Sequence, residues 1–534
     1  MIGGHLTNSS LNALLMRVAR RAENSTDSVL RHAFVPIEPL ISQLDTSEHQ
    51  VLFGRRGTGK THLMRHLREE QEQRGSLAIY VDLRRIGSPD DIATTDQGDF
   101  AEKATELLVD VLEYLHDSIY ELALQDRWMD RLSDLSDALD DLAHAATQVR
   151  IVGDTEVEHQ RESTTQSQMS RGGQVSVARS PAASWQGQHG SQRGRRTAER
   201  RLDRGRERHQ LLLGPLSGAI RRIADSTAPH QLWLLLDEWS ALPPDVQPLM
   251  ADLLRRTFLA AGGVVVKISA IHGRSRFRDA AASRAFIGLE LGADTSATLD
   301  LDDFLLFRND VGRTVDFYSS MLFRHITAMV QGSTRADQPA PENIRSPAAL
   351  VHRLFATQAG FHNLILGAEG VPRDALQIAG LAVGAAHDAP ITTQHVAAAT
   401  RDFFLRDKES GVTDGLAQRV FTNLIGQCIR QRSRIIPLRR KGESDEDIIQ
   451  YLYDARLIHR VRQGASIDPQ RPIETYDIYV IDYGCFLGLL QSGRIHSTQD
   501  GLDPGARFAD ADEIEIRSRS FTAMPRGWYR HLSS

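Results

Sequence analysis

The sequence predicts an α/β protein organised around a parallel sheet, and three observations predict it. An apolar run, Val51-Leu52-Phe53, enters the glycine-rich loop Gly54-Arg55-Arg56-Gly57-Thr58-Gly59-Lys60-Thr61, after which Leu63 and Leu67 mark one face of a helix. A second run, Leu232-Trp233-Leu234-Leu235-Leu236, is apolar on both faces and ends in Asp237-Glu238. Further apolar runs alternate with segments of helical spacing, the pattern of a sheet covered by helices.

The first loop has the form strand, Gly-x-x-x-x-Gly-Lys-Thr, helix, which is the phosphate-binding P-loop or Walker A motif. Gly54, Gly57 and Gly59, with Thr58 between them, let backbone N–H groups turn inward around phosphate oxygens. The following helix aims its positive end at the same anion. Lys60 has the reach for the β- and γ-phosphates, and Thr61 offers a hydroxyl to Mg²⁺. A chance match in a Gly/Arg-rich loop is the bland alternative, and the flanking strand and helix argue against it. Asp237-Glu238 has the Walker B pattern: Asp237 would hold the Mg²⁺ shell and Glu238 would polarise an attacking water. Two acids after an apolar strand are a weak signal alone, but here they follow a P-loop. The expected cofactors are ATP and Mg²⁺, and the expected activity is ATP hydrolysis.

At 534 residues the chain exceeds what one hydrophobic core serves. Hydrophobic residues at 41% and charged residues at 25% match a soluble globular protein. A net charge of −6 excludes a globally basic nucleic-acid protein while leaving room for local basic patches. Cys428 and Cys485 are too few for a disulfide framework or a four-thiolate zinc site, so a reduced, cytoplasmic setting is expected. The first residues lack the pattern of a signal peptide, and no run approaches the ~18 apolar residues of a membrane span.

In chain order, residues 1–30 read as a leading arm with a helical stretch. Residues 76–83 form a continuous apolar run ending near Asp82, as a buried strand does. Phe100, Ala104, Leu107, Leu108, Val111, Leu112 and Leu115 lie at helical spacing, predicting a long helix over 98–124 and a second over 126–147. From about 150 to 210 the composition turns to Ser, Gln, Gly and Arg. Residues 151–159 and 174–178 alternate weakly as a hairpin, and 162–209 otherwise reads as a disordered insertion. Its end, from Arg193 to Arg208, sets eight arginines against three acids, which fits either a nucleic-acid arm or a solvated linker. A helix at 216–223, the strand before Asp237, a helix near 247–259, a strand over 263–270 and a fifth strand over 286–291 complete the sheet.

This succession resembles the AAA+ division of P-loop ATPases. Two later stretches narrow the resemblance: Gly370-Val371-Pro372-Arg373-Asp374-Ala375-Leu376, then Ile391-Thr392-Thr393-Gln394-His395-Val396. Together they resemble the helical lid of the origin-recognition (ORC–CDC) family, here of a bacterial type. The resemblance implies that Arg373 is the sensor 2 arginine reaching the γ-phosphate, where a guanidinium suits a phosphate fork. Ser269 is nearest to the sensor 1 position, with His272 close by. The implied arginine finger lies among Arg255, Arg256, Arg274, Arg276 and Arg278, and the sequence does not choose. Residues 413–490 resemble the family's DNA-binding winged helix, with its last helix over 445–456 and wing strands at 457–460 and 476–482. That helix carries Asp445, Glu446, Asp447 and Asp454, which oppose phosphate, while Arg430, Arg432, Arg434, Arg439, Arg440 and Lys441 precede it.

The expected organisation is an arm over 1–30, an AAA+ base over 31–335, a helical lid over 340–408, a winged-helix-like unit over 413–490 and an extension over 491–534. The expected function is an ATP-driven switch of ORC–CDC type that engages DNA through segments 193–208 and 430–441, with a partner protein and self-assembly compatible with it. Bacterial defence or mobile elements are the context the resemblance implies. The alternative is a STAND-like regulatory NTPase whose winged helix contacts protein, which the acidic helix suits. A nucleotide-binding scaffold without hydrolysis has no need of Glu238.

Overall fold

The computed structural model describes residues 8–18, 20, 27–87, 100–146, 149–160, 200–209, 211–279, 286–296, 298–305, 310–333, 345–431, 433–439, 447–465 and 475–495. The sheet is built from β1 (Gln50–Phe53), β2 (Leu77–Asp82), β5 (Leu232–Asp237), β6 (Val264–Ala270) and β7 (Leu299–Asp300), in the order β2-β5-β6-β1-β7. All these pairings are parallel. The four longer strands are buried nearly throughout, as continuous apolar runs covered on both faces must be. One face packs under the helices Phe100–Ala123, Leu132–Ala146, Leu213–Ser226 and Gln247–Thr257. The other meets Leu63, Met64 and Leu67 of the P-loop helix Lys60–Gln73. The loop over 54–61 and Asp237-Glu238 therefore both leave the sheet at its carboxyl edge, where parallel sheets hold ligands.

Two segments differ from the sequence reading. The fifth strand is β7, not 286–291. Gly288, at φ 123°, sits so close to the Phe277–Arg278 backbone that 286–291 makes a short antiparallel contact there. Leu289 N donates to Phe277 O at 2.7 Å, and Asp279 N donates to Ile287 O at 3.0 Å. The insertion holds a two-stranded antiparallel ribbon, β3 (Val149–Gln160) with β4 (Arg200–His209). Residues 200–209 are thus strand, not disordered chain, and they pair with the segment at 149–160. The expected partner, 174–178, lies outside the described residues, as does 161–199.

Beyond the base, the long helix Val311–Ser333 leads to four helices, Pro347–Leu354, Gln358–Ala368, Pro372–Ala386 and Thr393–Phe403. Their starts are written in the sequence. Ser346 accepts from Ala349 N, Thr357 accepts from Gly360 N, Thr392 and His395 form a reciprocal capping box, and Pro372 takes the first helical turn. The N-terminal arm joins this helical core. Leu11 and Leu15 of the helix Asn8–Arg17 are buried in it, and Asn12 Nδ2 donates to His387 O at 2.6 Å and Ala389 O at 3.2 Å.

The C-terminal unit runs helix Gly415–Gln431, β8 (Ile435–Arg439), helix Asp447–Asp454, β9 (Ile458–Ala465), β10 (Tyr476–Ile481) and helix Tyr483–Gln491. Its sheet is antiparallel in the order β8-β10-β9. The helix expected over 445–456 is therefore not the last. It stops at Asp454, before Arg456 turns left-handed at φ 63°, and Tyr483–Gln491 closes the unit. Phe486 of that closing helix packs against both the lid core and the C-terminal core. Residues 445–446 and 496–534 lie outside the described residues.

Candidate functional site

The P-loop glycines explain the turn. Gly57 at φ 92° and Gly59 at φ 103° hold the left-handed backbone that lets the loop curl before Lys60 starts the helix. A Cβ on Gly57 would stand 2.8 Å from Arg373 Nε, so the loop and the lid arginine approach as closely as glycine allows. Lys60 is buried, and Nζ donates back to the loop's own carbonyls, Gly54 O at 2.7 Å and Arg55 O at 3.1 Å. Burial pulls its ammonium down from the usual lysine range, against the pull of Glu238 and Asp237.

Asp237 is wholly buried and is held by hydroxyls from three elements. Thr61 Oγ1 donates to Oδ2 at 2.7 Å, Tyr80 OH donates to Oδ2 at 2.6 Å, and Ser269 donates to Oδ1. Burial, with Asp237 adjacent, keeps the Tyr80 phenol protonated and so a donor. Glu238 follows at φ 61°, and its N–H donates to Asp237 Oδ1 at 3.0 Å and Ser269 Oγ at 3.1 Å. That turn releases the Glu238 side chain from the strand into the cleft. Burial and the neighbouring Asp237 lift its carboxyl above the ordinary range, while Arg84 Nη1 stands 3.9 Å from Oε1.

A cleft of about 430 Å³ is lined by Arg56, Gly57, Thr58, Gly59, Lys60, Thr61, Arg84, Glu238 and Arg373, together with the apolar Ala33, Phe34, Ile37, Phe317 and Met321. Asp237 and Tyr80 are not among its lining residues. Arg373 opens the lid helix Pro372–Ala386. Its N–H donates to Gly57 O at 3.2 Å, and its Nη2 donates to Arg56 O at 3.4 Å. Residues 317 positions apart, in the P-loop and the lid, thus meet across one cleft.

Ser269 is placed differently from the expectation. It is fully buried behind Asp237 and does not line the cleft, so it orients the aspartate instead of meeting a ligand. His272 stacks on Phe53 with centroids 4.0 Å apart and pairs with Asp300 at 3.0 Å. Of the five arginine-finger candidates, four are paired within the chain, and Arg278 is exposed. Arg255 and Arg256 bond Asp252, Arg274 bonds Asp454, and Arg276 faces Asp245 on an exposed edge. Of the basic segments, Arg434 is buried and bonded to Glu369 and to Ile481 O, so it cannot reach a phosphate. Arg432, Arg440 and Lys441 lie outside the described residues, as does the side chain of Arg439.

Sequence reasoning missed Tyr80, Arg84 and Arg55. Tyr80 sits in an apolar run, and its polar end carries no pattern. Arg84 follows by two residues the strand end that the sequence marks at Asp82, but no motif there signals that its side chain turns toward the cleft. Arg55 carries a loop position that the P-loop motif leaves free.

A five-stranded parallel sheet in this order, with a P-loop after its first strand and a buried aspartate facing the P-loop threonine, defines a P-loop α/β protein of the AAA+ type. Residues 18–87, which hold the first strand and the loop, match the model of the family described as ORC-CDC6-like. The resemblance drawn from the lid motif is thereby met by an independent stretch of the chain. No curated protein matches the sequence. Among solved structures the chain is similar to the Orc1 protein of Aeropyrum pernix, determined in complex with DNA, at 13% identity over 90% of this chain and 96% of that one, with a TM-score of 0.27. Among the described residues no helix is long and apolar enough to cross a membrane.

Proposed function

We propose that the chain is a Mg²⁺-dependent ATPase of the ORC–CDC type, a cytoplasmic switch that binds ATP between base and lid and engages DNA. One observation carries the nucleotide reading: Lys60, Thr61, Glu238 and Arg373 line a single cleft, and Thr61 is bonded to Asp237, which is buried outside that lining. The residues fit the cofactor. The loop leaves no room for a Cβ at Gly57, the helix Lys60–Gln73 begins at the cleft, and a threonine hydroxyl lies beside a buried carboxylate. Bound Mg²⁺ would supply Lewis-acid stabilisation of the phosphoryl oxygens. Lys60 and Arg373 would bind the phosphates from opposite sides, Thr61 and Asp237 would hold the metal, and Glu238 would take a proton from water. Calorimetry with Mg-ATP tests it: the full chain should bind, and Lys60→Ala should not. Equal affinity in the two would sink the assignment.

DNA engagement rests on the family resemblance and on the arginines of 193–208 and 430–441, of which Arg430 is exposed on its helix. A second reading, a STAND-like switch whose C-terminal unit contacts a protein partner, is favoured by one feature. The helix Asp447–Asp454 packs on the base through Gln450 Nε2 to His272 O at 3.0 Å and Arg274 to Asp454 at 2.8 Å. A duplex would find that face covered. Retention of the full chain on duplex DNA across a salt series separates the two, because phosphate contacts fall with salt.

A further inference from the structure

Behind the cleft lies a buried polar network that the nucleotide reading does not use. Its centre is Arg55, a P-loop residue whose side chain turns away from the cleft and is 1% exposed. Its Nε donates to Asp302 Oδ1 at 3.0 Å, beside β7. Its Nη2 donates to Glu369 O at 2.9 Å, where the lid helix Gln358–Ala368 ends in a left-handed residue. Its Nη1 bonds His459 Nδ1 of β9, in the C-terminal unit. The guanidinium also stands 5.0 Å over the Tyr453 ring, whose hydroxyl donates to Asp302 Oδ2 at 3.0 Å. One P-loop side chain therefore touches the base, the lid and the C-terminal unit.

The chemistry of these bonds fixes their direction. A guanidinium has only donors, so His459 Nδ1 must accept. The Nε2–H is then left to donate, and it faces Asp482 Oδ2 at 2.9 Å. Burial pulls the imidazole below its usual range, in agreement with this neutral tautomer. Asp482 also accepts from Lys408 Nζ at 2.7 Å, and it caps the closing helix by accepting from Gly484 N at 2.8 Å. Lys408 Nζ lies 3.2 Å from Asp374, the neighbour of Arg373, so the network returns to the cleft from the lid side.

At the P-loop end of this network Lys60 Nζ is bonded to the carbonyl of Arg55 itself, while Arg55 N donates to Asp302 Oδ2 at 3.0 Å. On binding a phosphate, Lys60 would turn to it and release that carbonyl. The main chain it releases belongs to the residue whose side chain holds His459. We propose that Arg55 is a positioning residue that couples nucleotide occupancy of the P-loop to the seating of the C-terminal unit, acting through its bond to His459. This rests on the nucleotide reading above. Coupling of this kind is reciprocal, so changing the His459 end must change nucleotide affinity, although His459 does not line the cleft.

Two substitutions in the full chain separate coupling from plain support. H459N keeps an acceptor where Nδ1 faces Arg55 and loses the donor toward Asp482. H459Q keeps a donor where Nε2 faces Asp482 and loses the acceptor toward Arg55. Affinity for Mg²⁺ with a slowly hydrolysed ATP analogue is measured by calorimetry, and hydrogen exchange over 447–465 is followed with and without that analogue. The expected result is a nucleotide-dependent change in exchange in the wild type and in H459N. H459Q should lose that change and shift its affinity about fivefold or more. Affinity in H459Q equal to wild type overturns the coupling, as does an equal loss in both variants that tracks their melting temperatures. Should neither histidine variant be stable enough to measure, Arg55→Lys decides, since it keeps a cation beside Asp302 but cannot keep the guanidinium's separate bonds to His459 and Glu369 O: an unchanged affinity together with an unchanged nucleotide-dependent exchange overturns the proposal. No binding by the wild type brings down the nucleotide reading itself, whereas binding with indifferent variants brings down only the coupling.

Discussion

Thr61 Oγ1 and Asp237 Oδ2 lie 2.7 Å apart, joined across 176 positions of sequence. The hydroxyl ends the glycine-rich loop and the carboxylate ends the strand Leu232–Asp237, and a divalent cation beside phosphate would draw on both. Thr61→Val is expected to leave Mg²⁺-free ATP binding in place and to remove most of the affinity that Mg²⁺ adds. Calorimetry with and without Mg²⁺ reads the difference. An unchanged Mg²⁺ increment would show that this pair only ties the loop to the sheet.

Much of this site was legible because its chemistry is local. Gly54 to Thr61 carry a spaced pattern, and Asp237-Glu238 follow a run whose burial is plain from its leucines. The lid arginine was legible through the family resemblance that Gly370-Val371-Pro372-Arg373 carries, not through any local chemistry of its own. What stayed hidden depends on tertiary geometry. Ser269 is nearest to the sensor 1 position by the family resemblance, yet it is buried against Asp237, since which face of a strand a residue points to depends on twist and register. The fifth strand was misplaced because 286–291 has strand composition, while the parallel position beside β1 went to two residues, too few to show a period. Arg434 reads as part of a basic cluster in sequence, but it is paired with Glu369 from another unit.

Glu238→Gln should bind ATP and turn it over ~10²–10⁴-fold more slowly, because an amide cannot accept a proton from water. The wild-type pH profile carries a second signature. Burial lifts the Glu238 carboxyl, and the base works only when deprotonated. Activity should therefore fall as pH drops through a value above the ordinary carboxylate range. The kcat/KM profile of the wild type reports it, and the limb should vanish from the residual activity of the Gln variant. A limb at the usual carboxylate range would assign the titration to another group.

Gly57→Ala should damage the fold and the cleft together. Alanine at φ 92° is strained, by about 1–2 kcal/mol for a left-handed backbone, and its methyl would press on Arg373 Nε and Cβ. Gly59→Ala shares the positive φ but meets no atom within 4 Å. Chemical denaturation should show both variants destabilised. Only Gly57→Ala should also displace Arg373, so its ATP affinity should fall further than that of Gly59→Ala. Equal affinities in the two would mean that Arg373 moves aside freely.

The Arg274–Asp454 contact makes the last prediction, about DNA. Asp454 belongs to the C-terminal unit and Arg274 to the base, and burial lifts the Asp454 carboxyl despite the arginine. With Gln450 bonded to His272 O and pressed on Gly273, this contact covers the helix Asp447–Asp454. A duplex docking on that helix must first open it. Arg274→Ala removes a positive charge, which by itself weakens attraction to phosphate, yet it also opens the contact. Asp454→Asn opens the same contact and removes a negative charge. If occlusion governs DNA binding, both variants should be retained on duplex DNA to higher salt than the wild type. If charge alone governs it, Asp454→Asn should gain retention and Arg274→Ala should lose it. Retention by none of the three at low salt, with ATP and Mg²⁺ present, would remove DNA from the proposal and leave the protein-directed switch as the better account of the same cleft.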